Sequence, residues 1–161
     1  MIRAVLLALA LLLAPAVDPA LAQTLAQSVP GGVSFDRGQL DIVSGSGRHH
    51  FTIELALTPD QQTQGLMFRR ELAPDAGMLF LYPSEQSIAM WMKNTLIPLD
   101  MIFIKADGTV LHVAERAVPR SLATIPSGGD AKAVLEVNGG IAAKLGIKPG
   151  DKVIYPGLGT G

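Results

Sequence analysis

The stretch that decides the fold is Ser87–Lys105, which reads SIAMWMKNTLIPLDMIFIK. Two apolar runs, Ile88–Met92 and Leu99–Ile104, are separated by polar residues and Pro98. Short apolar runs bounded by breakers are typical of buried strands, and proline biases the residue before it towards extended backbone. The stretch therefore predicts two core strands joined by a polar connection.

Shorter strands are predicted on both sides of this stretch. Alternation of apolar and polar residues and turn signals place them at 39–43, 49–57, 78–82, 109–118, 132–137 and 152–155. Residues 101–104 and 110–113 are apolar on both faces, so we expect both in the middle of a sheet that is covered on both sides. A turn-rich loop is predicted between Pro119 and Asp130.

Two short helices complete the prediction. Thr58 is a good N-cap, Pro59 suits the first helical position and Gln61 suits the third, which predicts a helix from Pro59 to about Arg69. Asn138 can cap a second helix over 139–145. The predicted fold class is therefore all-β, a compact sandwich or barrel with one or two short helices.

The N-terminus reads as a targeting segment rather than part of the fold. A basic start and a short apolar run precede Ala20-Leu21-Ala22, a small-x-small cleavage pattern. We predict a signal peptide over 1–22 with cleavage after Ala22, a flexible leader over 23–38 and one β domain over 39–157. The protein is accordingly expected to be periplasmic or secreted, with no membrane span once the signal is removed.

Composition excludes several classes of function. The chain has no cysteine, so disulfides, thiolate metal sites and thiol chemistry are excluded, and stability must come from apolar burial. The net charge is −1 and Lys and Arg are scattered, so no nucleic-acid face is predicted. The sequence predicts no metal site and no cofactor.

Polar residues cluster where the two central strands are joined, and this is the predicted site. We expect these groups to gather at one exit of the sheet, walled by the regions around Arg69 and 121–129. The candidate ligand-binding residues are Arg69, Trp91, Lys93, Asn94, Thr95, Asp100, Ser127 and Glu136. The predicted function is an exported soluble binding or interaction module whose partner is an unknown small polar ligand or a periplasmic protein. A structural reading stays open, in which these groups satisfy turn amides and form ion pairs that fix the strand connection.

Three alternatives remain at this stage. An acid/base enzyme of hydrolase type would use Asp100 or Glu136 as the general base and Lys93 as an electrostatic stabiliser. A periplasmic Cu(I)-binding protein would use the thioethers of Met90 and Met92, although methionine is also a common core residue. Trp91, Met67 and Phe68 could instead form an apolar patch for a protein partner.

Several ordered motifs resemble those of the DUF192 family, a group of mostly bacterial and archaeal proteins of unknown function. The motifs are Gly65–Arg69, Gly77–Phe80, Trp91–Thr95 with Pro98–Asp100, Val134–Val137 and Gly146–Asp151. The resemblance covers about residues 40–155 and implies a compact, mainly β domain without an established reaction. Many members carry cysteines in the segment that matches 119–127, and this chain has none, so a role that depends on those thiols does not extend to it.

Overall fold

The structure is a computed structural model, and it describes residues 33–159. The predicted signal peptide and residues 23–32 of the predicted leader lie outside the described residues. Residues from Val33 onwards form one compact unit. In the part of the chain that the structure describes, neither helix has the length and apolar character needed to cross a bilayer.

Seven strands form a single sheet, and two short helices lie between them. The strands are β1 Asp36–Ser44, β2 Gly47–Ala56, β3 Ala76–Met90, β4 Leu99–Ile104, β5 Val110–Ala117, β6 Ile125–Asn138 and β7 Lys152–Ile154. The helices are α1 Pro59–Gln64 and α2 Ile141–Leu145. The strand order is β5-β4-β6-β3-β2-β1-β7.

The sheet is mainly antiparallel and curls into a half-barrel. Among the strand pairs of residues 33–159 only β2–β3 is parallel, and α1 lies in the connection between these two strands. An isolated antiparallel bridge between Thr109 and Lys152 brings the start of β5 to β7, which is at the other end of the strand order. The predicted all-β class with two short helices is confirmed.

Both faces of the central strands carry a hydrophobic core, because successive strand residues point to opposite faces. One face of β4 presents Ile102 and Ile104 to a first cluster, which includes residues from all seven strands and from α2. The other face presents Met101 and Phe103 to a second cluster, which lies around β3, β4 and β6. All six residues of β4 are buried, as predicted for a mid-sheet strand.

The structure corrects three strand predictions. The segments 78–82 and 88–92 are predicted as separate strands, but the single strand β3 contains the first and ends at Met90 within the second, with a register shift between Leu81 and Gln86. Pro83 lies in this irregular part, where its missing N–H breaks no regular ladder bond. The strand β6 begins at Ile125, inside the predicted loop, and β1 begins at Asp36, before the predicted start of the domain.

The prediction for residues 110–113 is also wrong. The strand β5 that contains them stands at one end of the strand order, and its residues 111–116 are half-buried or exposed. Their apolar side chains made them resemble a central strand, yet among residues 33–159 only β4 pairs with the strand along its length. On the other side, only Val110 at its start is bonded, to Gly150 and Asp151. Because both strands contain apolar runs, the sequence pattern alone could not show that β4 is central and β5 lies at the end of the strand order.

The first helix is shorter than predicted. Its predicted start is confirmed, because the Thr58 side chain accepts from the backbone N–H of Gln61 and the Gln61 side chain accepts from the N–H of Thr58. It ends at Gln64 because Gly65 has φ 46°, a left-handed value that breaks the helical path. The chain then turns Leu66 into the second cluster.

Candidate functional site

An open pocket of about 370 Å3 lies beside the second cluster. Residues 62–67, which span the end of α1 and the turn after it, form part of its lining. Trp91, Lys93 and Thr95, from the connection between β3 and β4, form another part. The predicted strand connection therefore borders a concave surface that α1 helps to enclose.

Glu136 is a buried titratable group of this pocket. It lies on β6 between Met78 of β3 and Met101 of β4, its partners in the strand register, so its side chain shares their face. The residue is 4% exposed and lines the pocket. Within residues 33–159 no group hydrogen-bonds its carboxyl, whose oxygens are not completely sealed from solvent. Burial raises its pKa from 4.5 to about 8. The carboxyl is thus open to the pocket and largely protonated at neutral pH.

Tyr82 adds a second titratable group to the same wall. Burial raises the pKa of its phenol, and the nearby negative charge of Glu136 raises it further. The hydroxyl donates to the sulfur of Met90 at 4.0 Å, and both residues line the pocket. Phe80 lies two residues earlier on the same strand and completes an aromatic and thioether wall.

The mouth of the pocket carries a positive charge. The Lys93 ammonium lies 5.0 Å from the centre of the Trp91 ring, a cation–π distance, and Trp91 is 47% exposed. Thr95 is buried, and its hydroxyl donates to the carbonyl of Lys93 at 3.3 Å. Asn94 stands in the left-handed region at φ 55°, and its side-chain amide lies 3.8 Å from the sulfur of Met67.

Asp100 is not part of this pocket. It points to the opposite face of the sheet from its neighbour Met101, and its side chain is fully buried. Its carboxylate accepts from the backbone N–H groups of Arg116 at 2.7 Å, Gly140 at 2.9 Å and Ala142 at 2.8 Å. It therefore anchors the start of α2 and the end of β5, and this geometry removes it as a candidate general base.

Arg69 and Ser127 are also engaged elsewhere. Arg69 pairs with Glu54 of β2 and lines a different pocket of about 430 Å3. The Ser127 hydroxyl is buried, accepts from the N–H of Ile88 at 3.0 Å and donates to the carbonyl of Gly129 at 2.6 Å. The expected gathering of all the polar groups at one exit is not observed. Only Trp91, Lys93, Thr95 and Glu136 line the same pocket, with Asn94 beside it.

The two methionines of the copper alternative are placed differently. Met90 lines the pocket, whereas Met92 is fully buried in the second cluster. An ion bound by both sulfurs would have to lie inside the packed core. Across residues 33–159 there is also no group of three or more His, Asp or Glu side chains that could hold a metal ion.

Sequence reasoning did not select Tyr82, Phe80 and Gln62 as pocket residues. A signal for the first two was present, because Met78, Phe80 and Tyr82 alternate along one strand and must share a face. Gln62 comes to the pocket only through the parallel crossover that packs α1 beside the sheet. Its amide donates to the carbonyls of Ala56 and Leu81, a contact that no local pattern indicates.

The solved structures that are similar to this chain include the following two. One is a crystal structure from Sinorhizobium meliloti 1021, described as a "putative transcription regulator", with 46% identity and a TM-score of 0.76. The match covers 80% of this chain and 100% of the Sinorhizobium chain. The other is a protein of unknown function from Novosphingobium aromaticivorans DSM 12444, with 45% identity and a TM-score of 0.75. The match covers 83% of this chain and 96% of the Novosphingobium chain.

No curated protein matches the chain. The model of one protein family matches residues 41–155, which hold β2 to β7, both helices, the end of β1 from Asp41 to Ser44, and every residue of the pocket described above. That family is described as "Uncharacterized ACR". The ordered motifs, the half-barrel and this match agree, and the chain belongs to the DUF192 family.

Proposed function

We propose that this protein is a binding protein for a small zwitterionic ligand, with an apolar body, an amine that meets Glu136 and an acidic group that meets Lys93. The observation that carries the proposal is the Glu136 carboxyl, which is buried, without a hydrogen-bond partner among residues 33–159, and open to a pocket of about 370 Å3. A volume of this size fits a small organic molecule.

An amine supplies what Glu136 lacks. Burying an unpaired carboxylate is costly, which is why its pKa rises to about 8 and the group holds a proton. A cationic amine in the pocket would stabilise the ionised form and displace that proton. The aromatic rings of Phe80 and Tyr82, which also line the pocket, favour a cation further.

Lys93 sets the other end of the ligand. Its ammonium is exposed and rests over Trp91, so it can turn towards an acidic group at the mouth without breaking a salt bridge among the described residues. A simple cation would be repelled there, whereas a zwitterion places one charge against each partner. Met67 and Met90, with flexible thioether side chains, can adapt to the apolar body between them.

The test is calorimetric titration with three sets of small compounds: apolar amines, apolar carboxylates and zwitterions with the same body. We expect the zwitterions to bind most tightly and to release close to one proton at pH 7, measured by repeating the titration in buffers with different ionisation enthalpies. Below pH 8 their affinity should rise by up to about tenfold per pH unit, because the ligand displaces the Glu136 proton.

Two variants separate the two ends. Glu136→Gln should abolish the proton release and weaken binding of amines and zwitterions, and Lys93→Met should weaken binding of carboxylates and zwitterions only. Asp100→Asn is the matched control, because that side chain lies on the other face and should leave ligand affinity unchanged. Binding without proton release, or equal binding by Glu136→Gln, would contradict the proposal.

An acid/base enzyme is the second candidate, and the raised pKa of Glu136 favours it. A carboxyl with a pKa of about 8 in a pocket is a suitable proton donor or acceptor at neutral pH, with Lys93 as the stabilising charge. If the zwitterions are recovered chemically unchanged after long incubation with the protein, the function is binding without catalysis. Turnover that Glu136→Gln abolishes would support the enzyme.

The proposed setting is the periplasm or the outside of the cell, reached through the signal peptide over 1–22. The apolar run and the Ala20-Leu21-Ala22 pattern support this. N-terminal sequencing of the protein from a periplasmic fraction should give a chain that begins at Gln23. Recovery of the uncleaved chain in the cytoplasm would contradict export.

A further inference from the structure

Three neighbouring loops, two of which contribute residues to the pocket, carry exposed apolar side chains. We define the rim as the three loops 67–70, 91–95 and 118–123. Phe68 is 66% exposed, Trp91 47%, Val118 67% and Leu122 69%. Each loop of the rim therefore presents at least one large apolar side chain to solvent.

Backbone hydrogen bonds hold the three loops together. The N–H of Phe68 donates to the carbonyl of Asn94 at 2.9 Å, and the N–H of Arg120 donates to the carbonyl of Thr95 at 3.0 Å. Phe68, Asn94 and Arg120 all have left-handed backbones, with φ of 64°, 55° and 62°. Such conformations are costly for residues other than glycine and persist where the surroundings fix them. The rim thus presents its side chains on a fixed frame.

The charge of the rim is of one sign. Its loops contain Arg69, Arg70, Lys93 and Arg120 and no acidic residue, whereas the whole chain has a net charge of −1. Arg69 pairs with Glu54. The other three are exposed, and among residues 33–159 none of them forms a salt bridge. The rim therefore combines apolar tips with positive charge.

We propose that the rim docks the protein onto an anionic lipid bilayer, with the mouth of the pocket turned towards the lipid. Apolar tips that stand on separate loops can enter the boundary between headgroups and acyl chains independently, and tryptophan and lysine suit that boundary. Arg70, Lys93 and Arg120 would meet lipid phosphates. This combination fits a bilayer better than an acidic protein, which would need a continuous complementary face. The proposal does not depend on the identity of the pocket ligand.

The experiment uses a chain that begins at Gln23, so that the apolar run of 4–14 cannot itself bind lipid. The shortened chain keeps the whole compact unit that starts at Val33. The similar Sinorhizobium structure corresponds over its full length to 80% of the full chain, so a unit of this size folds without the remainder. Vesicles of phosphatidylcholine alone and with phosphatidylglycerol are added. We expect sedimentation with the anionic vesicles only, weaker at high salt, and a blue shift of emission from Trp91, the one tryptophan.

Variants assign the effect to the rim. Leu122→Ser and Phe68→Ser should each weaken vesicle binding about tenfold or more, and Arg120→Glu should reduce it similarly, with thermal unfolding unchanged. Ile154→Ser is the control, since Ile154 is 46% exposed but lies on β7, away from the rim. No vesicle binding, an equal loss in Ile154→Ser, or binding to polyglutamate or duplex DNA in place of vesicles would overturn the proposal.

Discussion

Glu136 shows how one residue changes the pH response of the protein. Its pKa is about 8 in the folded chain and 4.5 when exposed, so between these values the folded state holds a proton that the unfolded state has lost. The free energy of unfolding should therefore fall as pH rises from about 4.5 to about 8, and then level off.

Glu136 should lower the free energy of unfolding by at most about 1.4 kcal/mol for each pH unit in this range. Denaturant unfolding of the protein and of Glu136→Gln across this range measures it, and the free energy of unfolding of the protein should fall steadily relative to that of the variant towards higher pH. Glu71→Gln, on an exposed side chain, is the control. Parallel pH profiles for the protein and Glu136→Gln would contradict the assignment.

Asp100, in contrast to Glu136, stabilises the fold. Its carboxylate satisfies three buried or half-buried backbone N–H groups, and Asp100→Ala would leave them without partners. We expect a loss of about 2 to 4 kcal/mol in the free energy of unfolding, measured by urea denaturation. Asp100→Asn should cost less, because its side-chain oxygen still accepts. Equal stability of the protein and Asp100→Ala would contradict this role.

At the scale of elements, the close approach of β3 and β6 depends on Gly77. A Cβ there would lie 2.8 Å from the backbone carbonyl oxygen of Glu136 and 3.1 Å from a methyl of Leu135. We expect Gly77→Ala to cost about 1 to 3 kcal/mol in thermal or urea unfolding, because the strands must separate to admit the methyl group.

Gly129→Ala is the matched control for this strand pair. Its added Cβ would meet only Leu111, at an ordinary 3.5 Å. Stability should change little. If the two substitutions were equally tolerated, backbone contact at Gly77 would not limit the pairing of β3 and β6.

Local signals predicted the elements better than their arrangement. The capping box at Thr58 and Gln61 uses side chains three residues apart, so the start of α1 could be predicted. The joined strand β3 could not, because Pro83 reads as a terminator unless the bulge that accommodates it is known. Lys93, Trp91 and Glu136 were identified as candidates, but the half of the pocket built by α1 depends on a parallel crossover that no short-range pattern encodes.

Asp100 was grouped with Lys93 for a related reason. Both lie in one short stretch, and sequence proximity suggested one site. Yet the connection between β3 and β4 ends where β4 begins, at Leu99, and successive residues of β4 then point to opposite faces of the sheet. Asp100 therefore lies with α2, and Glu136, far away in sequence, takes its place in the pocket.

For the whole molecule, the two core clusters should behave as one cooperative unit. They lie on opposite faces of the same strands, so β4 contributes Met101 to one and Ile102 to the other. Met101→Ala and Ile102→Ala should each cost about 2 to 5 kcal/mol, since both side chains are fully buried. Unfolding followed by Trp91 fluorescence and by far-UV circular dichroism should give coincident transitions for each variant. Separate transitions would contradict a single unit.

The capping of α2 by Asp100 has a consequence for the order of folding. The N-cap residue of this five-residue helix is Gly140, which makes no side-chain cap, and the acceptor arrives from a strand forty positions earlier in the chain. A synthetic peptide of residues 136–150 should therefore be a random coil in water. The helix is therefore expected to form only after β4 has brought the Asp100 carboxylate to Gly140 and Ala142.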